Sequence, residues 1–207
     1  MKKEIACCIL GLGLIWGCNS SNTDSEKMAE DANKEKIDSQ HSSGQPIDSA
    51  EVFTRSDADF LVEVAAGGML EVQLGRLAKE QTTKEVKGFG DLMIRDHTAA
   101  GAKLAALARS KNITLPDSVS DDGKKEREKL RQKQSEEFNR SYINMMVSDH
   151  RKDIREFQRA ALGASDKDIK AFARNSLPML YLHLDSVLSI QRKLGLSDIP
   201  MQAEPYK

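Results

Sequence analysis

The residues of this sequence best suited to chemistry are one glutamate and three histidines that lie where apolar residues are expected. Apolar residues that recur at alternating steps of four and three mark the face a helix presents to its neighbours. Glu71, His97, His150 and His183 each interrupt one such series, one in each of four long predicted helices. Each lies near the middle of its helix, so aligned helices would bring the four side chains to a similar height.

Burying such groups without partners would cost roughly 1 to 3 kcal/mol each, so they must bind one another, water or a metal. Three imidazoles and one carboxylate can supply four ligands to a single divalent transition metal, and zinc, iron and copper are all chemically suitable. The alternative is a metal-free polar network that fixes the register of the helices. The residue types alone leave both interpretations open.

Two aspartates directly precede histidines of this set. Asp96 comes before His97 and Asp149 before His150, which places each carboxylate about 100° away from its neighbour around the helix. From there each could accept a hydrogen bond from the imidazole of an adjacent helix and orient that ring for a metal. The alternative is that both aspartates are simply solvated.

The elements that must position these residues are long helices. The apolar spacing predicts helices over about 56–81, 82–111, 135–162 and 165–195, with a short charged helix from about Asp121. Ser56 is the expected N-cap of the first, and Thr82 begins an expected capping box for the second. Short links make two antiparallel hairpins, and the connection over 112–134 is long enough to return along the bundle. We therefore expect an all-α, ferritin-like four-helix bundle with a long crossover between its second and third helices.

The start of the chain predicts export and lipid anchoring. Lys2 and Lys3 precede an apolar run that ends at Trp16, followed by Gly17 and Cys18. This run is too short for a membrane span of about 20 residues and is typical of a signal peptide. The junction resembles the lipobox at which bacterial lipoproteins are cleaved, so we expect a signal peptide over 1–17 and lipid attachment at Cys18. An ordinary signal peptide with a chance cysteine is the alternative.

The predicted organisation places a lipidated cysteine and flexible tether at 18–55, the four-helix bundle at 56–194 and a C-terminal tail at 195–207. The tether is predicted from its low apolar content. The lipid at Cys18 would be the contact with the membrane, in the bacterial cell envelope. Asn19 after the cysteine resembles the enteric signal for the outer membrane, from which the protein would face the periplasm or the cell surface.

Charge and cysteine content narrow the function classes. The chain has 31 Lys+Arg and 32 Asp+Glu, so no net positive field would collect nucleic acid. The three cysteines are Cys7, Cys8 and Cys18, so the domain that follows has neither a disulfide nor a thiol site. The sequence does not indicate a protein partner.

Four segments together resemble a known family: AAGGMLEVQLGRLA, FGDLMIRDHTAAGAKLAALARSKNITLP, VSDH and FARNSLPMLYLHL. The family is a bacterial domain of unknown function, number four-one-four-two, whose members are labelled as outer-membrane proteins with a ferritin-like helical bundle. The resemblance spans about Asp57 to Lys193. It implies the bundle and the envelope location, but it implies no activity and no catalytic residues.

Comparison with di-iron ferritin-like proteins distinguishes a two-iron site from a single-metal site. Those proteins need a Glu-x-x-His motif on each of two helices, but Ile94, Val147 and Leu180 lie three residues before the histidines of this chain. Without bridging carboxylates we expect at most a single metal. The leading hypothesis is a metal-binding module, and the alternatives are a structural or interaction lipoprotein and an unrecognised enzyme. An enzyme would need an open coordination position and a substrate cleft, and the sequence indicates neither.

Overall fold

The computed structural model describes residues 24–42 and 54–196, and within these ranges the chain forms six helices and no strand. The helices are α1 Ser25–Ser42, α2 Arg55–Gln81, α3 Lys84–Ser110, α4 Asp121–Arg131, α5 Ser135–Gly163 and α6 Lys167–Lys193. The predicted all-α class is confirmed, as are the four long helices and the short charged one. None of the described helices combines the length and the apolar content needed to span a membrane.

The four long helices pack as two hairpins. Links of only two or three residues join α2 to α3 and α5 to α6, and the hairpins meet through contacts of α3 with α6 and of α2 with α5. The short α4 packs on α2 and α5. Each long helix therefore has a neighbour on two sides, and the faces between them are closed to solvent.

Two apolar clusters show the direction in which each helix runs. One joins the end of α2, the start of α3, the start of α5 and the end of α6; it includes Leu77, Phe89, Tyr142 and Val187. The other joins the start of α2, the end of α3 and the start of α6; it includes Leu61, Leu104 and Ile169. Since Ala164, directly after α5, belongs to the second cluster, α3 and α5 run in the same direction. The segment that contains α4 makes the crossover between them.

The start of α2 is fixed by a buried carboxylate. Thr54 is the N-cap, with a capping box in which Asp57 N donates to Thr54 Oγ1 at 3.2 Å and Thr54 N donates to Asp57 Oδ2 at 3.1 Å. The same carboxylate accepts from Ser165 N at 3.0 Å and Asp166 N at 3.3 Å. The prediction of Ser56 as N-cap is wrong, because Thr54 and Asp57 form the capping box. The Asp57 carboxylate also binds the backbone of the link between α5 and α6.

The start of α3 also differs from the prediction. Its N-cap is Thr83 and the helix begins at Lys84. The Thr82 hydroxyl donates to Ala78 O at 2.7 Å, so it satisfies a carbonyl at the end of α2 and does not cap α3. The predicted capping box is therefore wrong.

The largest departure from the sequence prediction is α1, which lies where a flexible tether is expected. Ala29 is 2% exposed and Asn33 1%. Asn33 Nδ2 donates to Thr114 O at 2.8 Å and Asn33 Oδ1 accepts from Thr114 N at 2.7 Å, while Ser25 Oγ donates to Asp117 Oδ1 at 2.8 Å. The tether prediction is wrong for this segment. Its polar side chains form hydrogen bonds with the crossover, and a prediction based on low apolar content cannot detect contacts of this kind.

The predictions that concern the signal peptide at 1–17 and lipid attachment at Cys18 lie outside the described residues. So do the remaining parts of the predicted tether, 19–23 and 43–53, and the tail from residue 197 onwards.

The backbones of α2 and α3 come close together at two facing glycines, Gly75 and Gly90. A Cβ added to Gly75 would lie 2.8 Å from Gly90 O, and one added to Gly90 would lie 2.7 Å from Gly75 O. Gly67, in the same helix as Gly75, has no neighbouring atom within 4 Å of the corresponding position. Backbone contact between α2 and α3 therefore requires glycine at 75 and 90 but not at 67.

We predict opposite effects of two alanine substitutions in α2. Gly75→Ala forces the hairpin apart and should lower the free energy of unfolding by about 1 to 3 kcal/mol. Gly67→Ala causes no clash in the folded protein and reduces the backbone freedom of the unfolded chain. It should therefore raise the free energy of unfolding by about 0.5 to 1 kcal/mol. Chemical denaturation followed by circular dichroism measures both, and equal effects of the two substitutions would contradict the close crossing.

Candidate metal centre

Each long helix of the bundle brings one of the four polar residues to the same level of the core. Glu71 lies on α2, His97 on α3, His150 on α5 and His183 on α6, with exposures of 5%, 8%, 0% and 0%. The ring centroids of the three histidines are 5.2 to 5.9 Å apart. One nitrogen from each imidazole can be chosen so that the three lie within 4.8 Å of one another. The structure thus assembles a buried cluster of three histidines that could hold a metal ion.

Each imidazole has one nitrogen at hydrogen-bonding distance from an oxygen acceptor. The pairs are His97 Nδ1 with Glu71 Oε2 at 2.9 Å, His150 Nδ1 with Met146 O at 2.9 Å, and His183 Nε2 with Asp96 Oδ2 at 3.0 Å. An oxygen acceptor at this distance holds the proton on the facing nitrogen. In the neutral ring the lone pair then lies on the other nitrogen, which is how metal-binding histidines are commonly oriented.

Two of the remaining nitrogens face each other. His150 Nε2 and His183 Nδ1 are 3.2 Å apart, and if both outer nitrogens carry protons, both of these atoms present lone pairs. His97 Nε2 is buried without a hydrogen-bond partner. Two facing lone pairs repel unless a proton or a cation lies between them. The separation is close to the roughly 3.3 Å between two nitrogens bound to tetrahedral zinc at 2.0 to 2.1 Å.

Burial keeps two of the rings neutral. It lowers the pKa of His183 to about 4, and the nearby His97 and His150 act in the same direction against the hydrogen bond with Asp96. Burial also lowers the pKa of His150, with Glu71 opposing the shift. Both rings are therefore able to donate a lone pair to a metal at neutral pH.

His97 and Glu71 form a buried charged pair. Burial alone would lower the pKa of His97, but the Glu71 carboxylate outweighs it and the pKa is raised. Burial likewise opposes ionisation of Glu71, yet His97 holds the pKa of that carboxyl below its usual value. Glu71 consequently supplies a negative charge beside the three rings, which would offset part of the charge of a cation.

The two aspartates singled out from the sequence lie in different environments. Asp96 Oδ1 accepts from Arg95 Nε at 2.7 Å, and this hydrogen bond is the largest reason why the pKa of Asp96 is lowered. Asp96 thus stays ionised beside His183. Asp149 is hydrogen bonded to no imidazole in the described part of the chain, and burial raises its pKa to about 7.

Two features of the site carry no sequence signal. Met146 contributes its backbone carbonyl to His150, and every residue of a helix has a carbonyl. A cavity of about 110 Å³ adjoins His97 and Glu71, and Asp153 and Glu156 of α5 line its wall. The spacing of Asp153 from His150 could have pointed to the same side of α5, but only the packing of four helices encloses the space.

We predict that His183 in the metal-free protein titrates near pH 4, because protonation would place a charge in the buried cluster. An unfolded histidine takes up its proton near pH 6.5, so the contribution of His183 to stability is present above pH 6.5 and is lost as the pH falls toward 4. Ring resonances followed by NMR across this range measure the titration. A midpoint for His183 near 6.5 would show that the ring is solvated and not buried in the cluster.

No curated protein and no solved structure matches the chain. A family model described as a domain of unknown function, DUF4142, matches residues 42–190, which covers α2 to α5, all four residues of the site and nearly all of α6. This match confirms the resemblance seen in the sequence, and the chain belongs to the family of domains of unknown function DUF4142.

Proposed function

We propose that this protein binds a single transition-metal ion through His97, His150 and His183. The observation that carries the proposal is the arrangement of the inner nitrogens: His150 Nε2 and His183 Nδ1 face each other at 3.2 Å while oxygen acceptors hold their outer nitrogens. A cation between the two nitrogens would accept both lone pairs as metal–ligand bonds and so remove their repulsion. When His97 gives up the proton that its pairing with Glu71 favours, the buried, unpartnered His97 Nε2 supplies the third ligand.

The fourth position belongs to water or to Glu71. Three imidazoles leave one site of a tetrahedral ion open, and Glu71 Oε1 is buried without a hydrogen-bond partner. Imidazole ligands suit zinc, iron and copper alike. Because the chain lacks the Glu-x-x-His pairs of di-iron proteins, the proposed site holds one ion, and the proposed role is metal handling by a binding module in the cell envelope.

The connectivity of the helices supports the further proposal that this all-α bundle is ferritin-like. In that arrangement one long crossover joins two helices that run in the same direction. The apolar clusters give α3 and α5 this relation, with α4 in the crossover.

A metal-free network is the competing proposal, and the Glu71–His97 pair favours it. Two charges that neutralise each other in the core can fix helix register without an ion. This network leaves His97 Nε2 unsatisfied and needs an extra proton between His150 and His183, whose pKa values burial lowers. The metal proposal satisfies all three rings.

We expect zinc, iron(II) or copper(II) to stabilise the wild-type protein. A metal at 100 times its dissociation constant adds about 2.7 kcal/mol to the free energy of unfolding, so the melting temperature should rise and a chelator should reverse the rise. Metal analysis should give one ion per chain. The combined variant His97→Ala, His183→Ala should lose both effects.

The matched control is His41→Ala, which removes the histidine outside the cluster. It should bind metal as the wild type does. The metal proposal fails if no metal co-purifies and if no added metal raises the melting temperature of the wild type more than it raises that of the combined variant. The polar network is then the remaining explanation.

We also propose that residues 1–17 are a signal peptide and that Cys18 carries a lipid that anchors the protein in the bacterial envelope, in the outer membrane. The support is the basic start, the apolar run and the small residue before Cys18. The bundle would then hold its metal outside the cytoplasm.

The anchor proposal predicts that Cys18→Ala abolishes incorporation of a labelled fatty acid and moves the protein from the membrane fraction to the soluble fraction. Cys8→Ala, which alters a cysteine within the predicted signal peptide, should leave labelling intact. A Cys18→Ala protein that still labels and still fractionates with membranes would disprove the anchor.

A further inference from the structure

The cavity beside the histidine cluster has an unusual balance of charge. Four carboxylates line it, and they face a single lysine; the acidic residues are Glu63, Glu71, Asp153 and Glu156, and the basic one is Lys152. Much of the rest of the wall is apolar or glycine, including Gly67, Gly68 and Phe157. Such a wall attracts a cation and repels an anion.

The lysine neutralises only part of this charge. Lys152 Nζ lies 2.7 Å from Glu63 Oε1 and 3.6 Å from Glu156 Oε1, and its side chain is 56% exposed, so it lies where the cavity meets solvent. Asp153 forms neither an ion pair nor a hydrogen bond within the described part of the chain. Burial, followed by the charges of Glu71, Asp149 and Glu156, raises the pKa of Asp153 to about 9. A divalent cation would relieve this repulsion in place of the proton.

The inner end of the cavity carries two buried atoms that lack partners. Glu71 Oε1 and His97 Nε2 are both inaccessible to solvent and make no hydrogen bond, and both residues line the cavity. Glu71 is one of the four carboxylates of the wall, whereas His97 Nε2 belongs to the histidine cluster and is independent of those carboxylates. The cavity therefore leads from exposed Lys152 to the candidate metal ligands.

A second space reaches His97 from the other side, but its charges do not favour a cation. It has a volume of about 490 Å³, and the crossover residues Leu115 to Ser118 form part of its wall. Arg76 and Asp117 are the charged residues that line it, and their charges cancel. Of the two approaches to His97, only the acid-lined cavity is electrostatically suited to a metal ion.

We propose that the acid-lined cavity is an uptake chamber in which a hydrated divalent cation is held by Asp153 and Glu156 before it passes to the three histidines. This inference rests on the proposed metal-binding function. It assigns a binding role to two carboxylates of α5 that lie outside the histidine cluster, and it assigns the direction from which the ion arrives.

The test follows cobalt(II) uptake by the full mature chain in a stopped-flow spectrometer, since cobalt bound to imidazoles absorbs visible light. Asp153→Asn and Glu156→Gln keep the shape of each side chain and remove its carboxyl group. Asp153, whose pKa is raised to about 9, then has no proton to exchange for the cation. We expect the combined variant to take up cobalt at least tenfold more slowly than wild type, in keeping with electrostatic acceleration of association by factors of about 10 to 1,000. The final stoichiometry should stay at one ion per chain.

Glu136→Gln is the matched control, because Glu136 is an exposed acid on the same helix, and it should leave the uptake rate unchanged. Circular dichroism of each variant verifies that the bundle is folded. An unchanged uptake rate in the combined variant would overturn the chamber, as would a change confined to the rate of cobalt release.

The two proposals fail in different ways. If wild type takes up no cobalt, or if His97→Ala, His183→Ala takes it up equally well, the metal centre itself is wrong. If wild type binds one cobalt ion at the histidines and the Asp153 and Glu156 variants take it up at the same rate, only the chamber is wrong.

Discussion

The rest of the site depends on the 3.2 Å contact between His150 Nε2 and His183 Nδ1 at a point closed to water. Each ring is held from outside, one by the carbonyl of Met146 and the other by Asp96. If both outer nitrogens carry protons, neither ring can turn without losing its acceptor, and the two inner lone pairs face each other. A buried repulsion of this kind is costly unless something positive lies between the nitrogens. His97 and its partner Glu71 lie beside the position between these two nitrogens.

The bundle holds this arrangement in place by constraints that lie far from the metal centre. Gly75 and Gly90 let α2 and α3 approach until their backbones touch, which sets the height of Glu71 relative to His97. The Asp57 carboxylate accepts hydrogen bonds from Thr54 N at the start of α2 and from Ser165 N in the link between α5 and α6, so it joins the two hairpins at one end. Since a displacement of about 1 Å is large compared with the tolerance of a coordination bond, these distant contacts are part of the site.

Charge is distributed unevenly around the three rings. Asp96 meets Arg95 at the surface and accepts a hydrogen bond from the His183 imidazole. Glu71, Asp153 and Glu156 lie together on one side, where His97 faces Glu71 and where Lys152 and Arg159 face Glu156. The chain as a whole is close to neutral, with 31 basic and 32 acidic residues, so this asymmetry is local. The bundle is therefore more acidic on one side of the three rings than the composition of the chain indicates.

The sequence by itself determined the four long helices, the short charged helix and the polar residues on the inner faces of the long ones, because the spacing of apolar residues is a property of each helix alone. It also permitted the crossover, since 112–134 is long enough to return along the bundle, but the apolar clusters at the two ends of the bundle decided that α3 and α5 run in the same direction. Only the tertiary structure decided that α1 docks through Asn33 and Ser25, because hydrogen bonds between distant polar side chains leave no periodic pattern. Only the structure decided which nitrogen of each histidine faces inward and that a cavity adjoins Glu71. Ring orientation and empty space depend on how neighbouring helices are rotated against one another, and no single helix encodes that rotation.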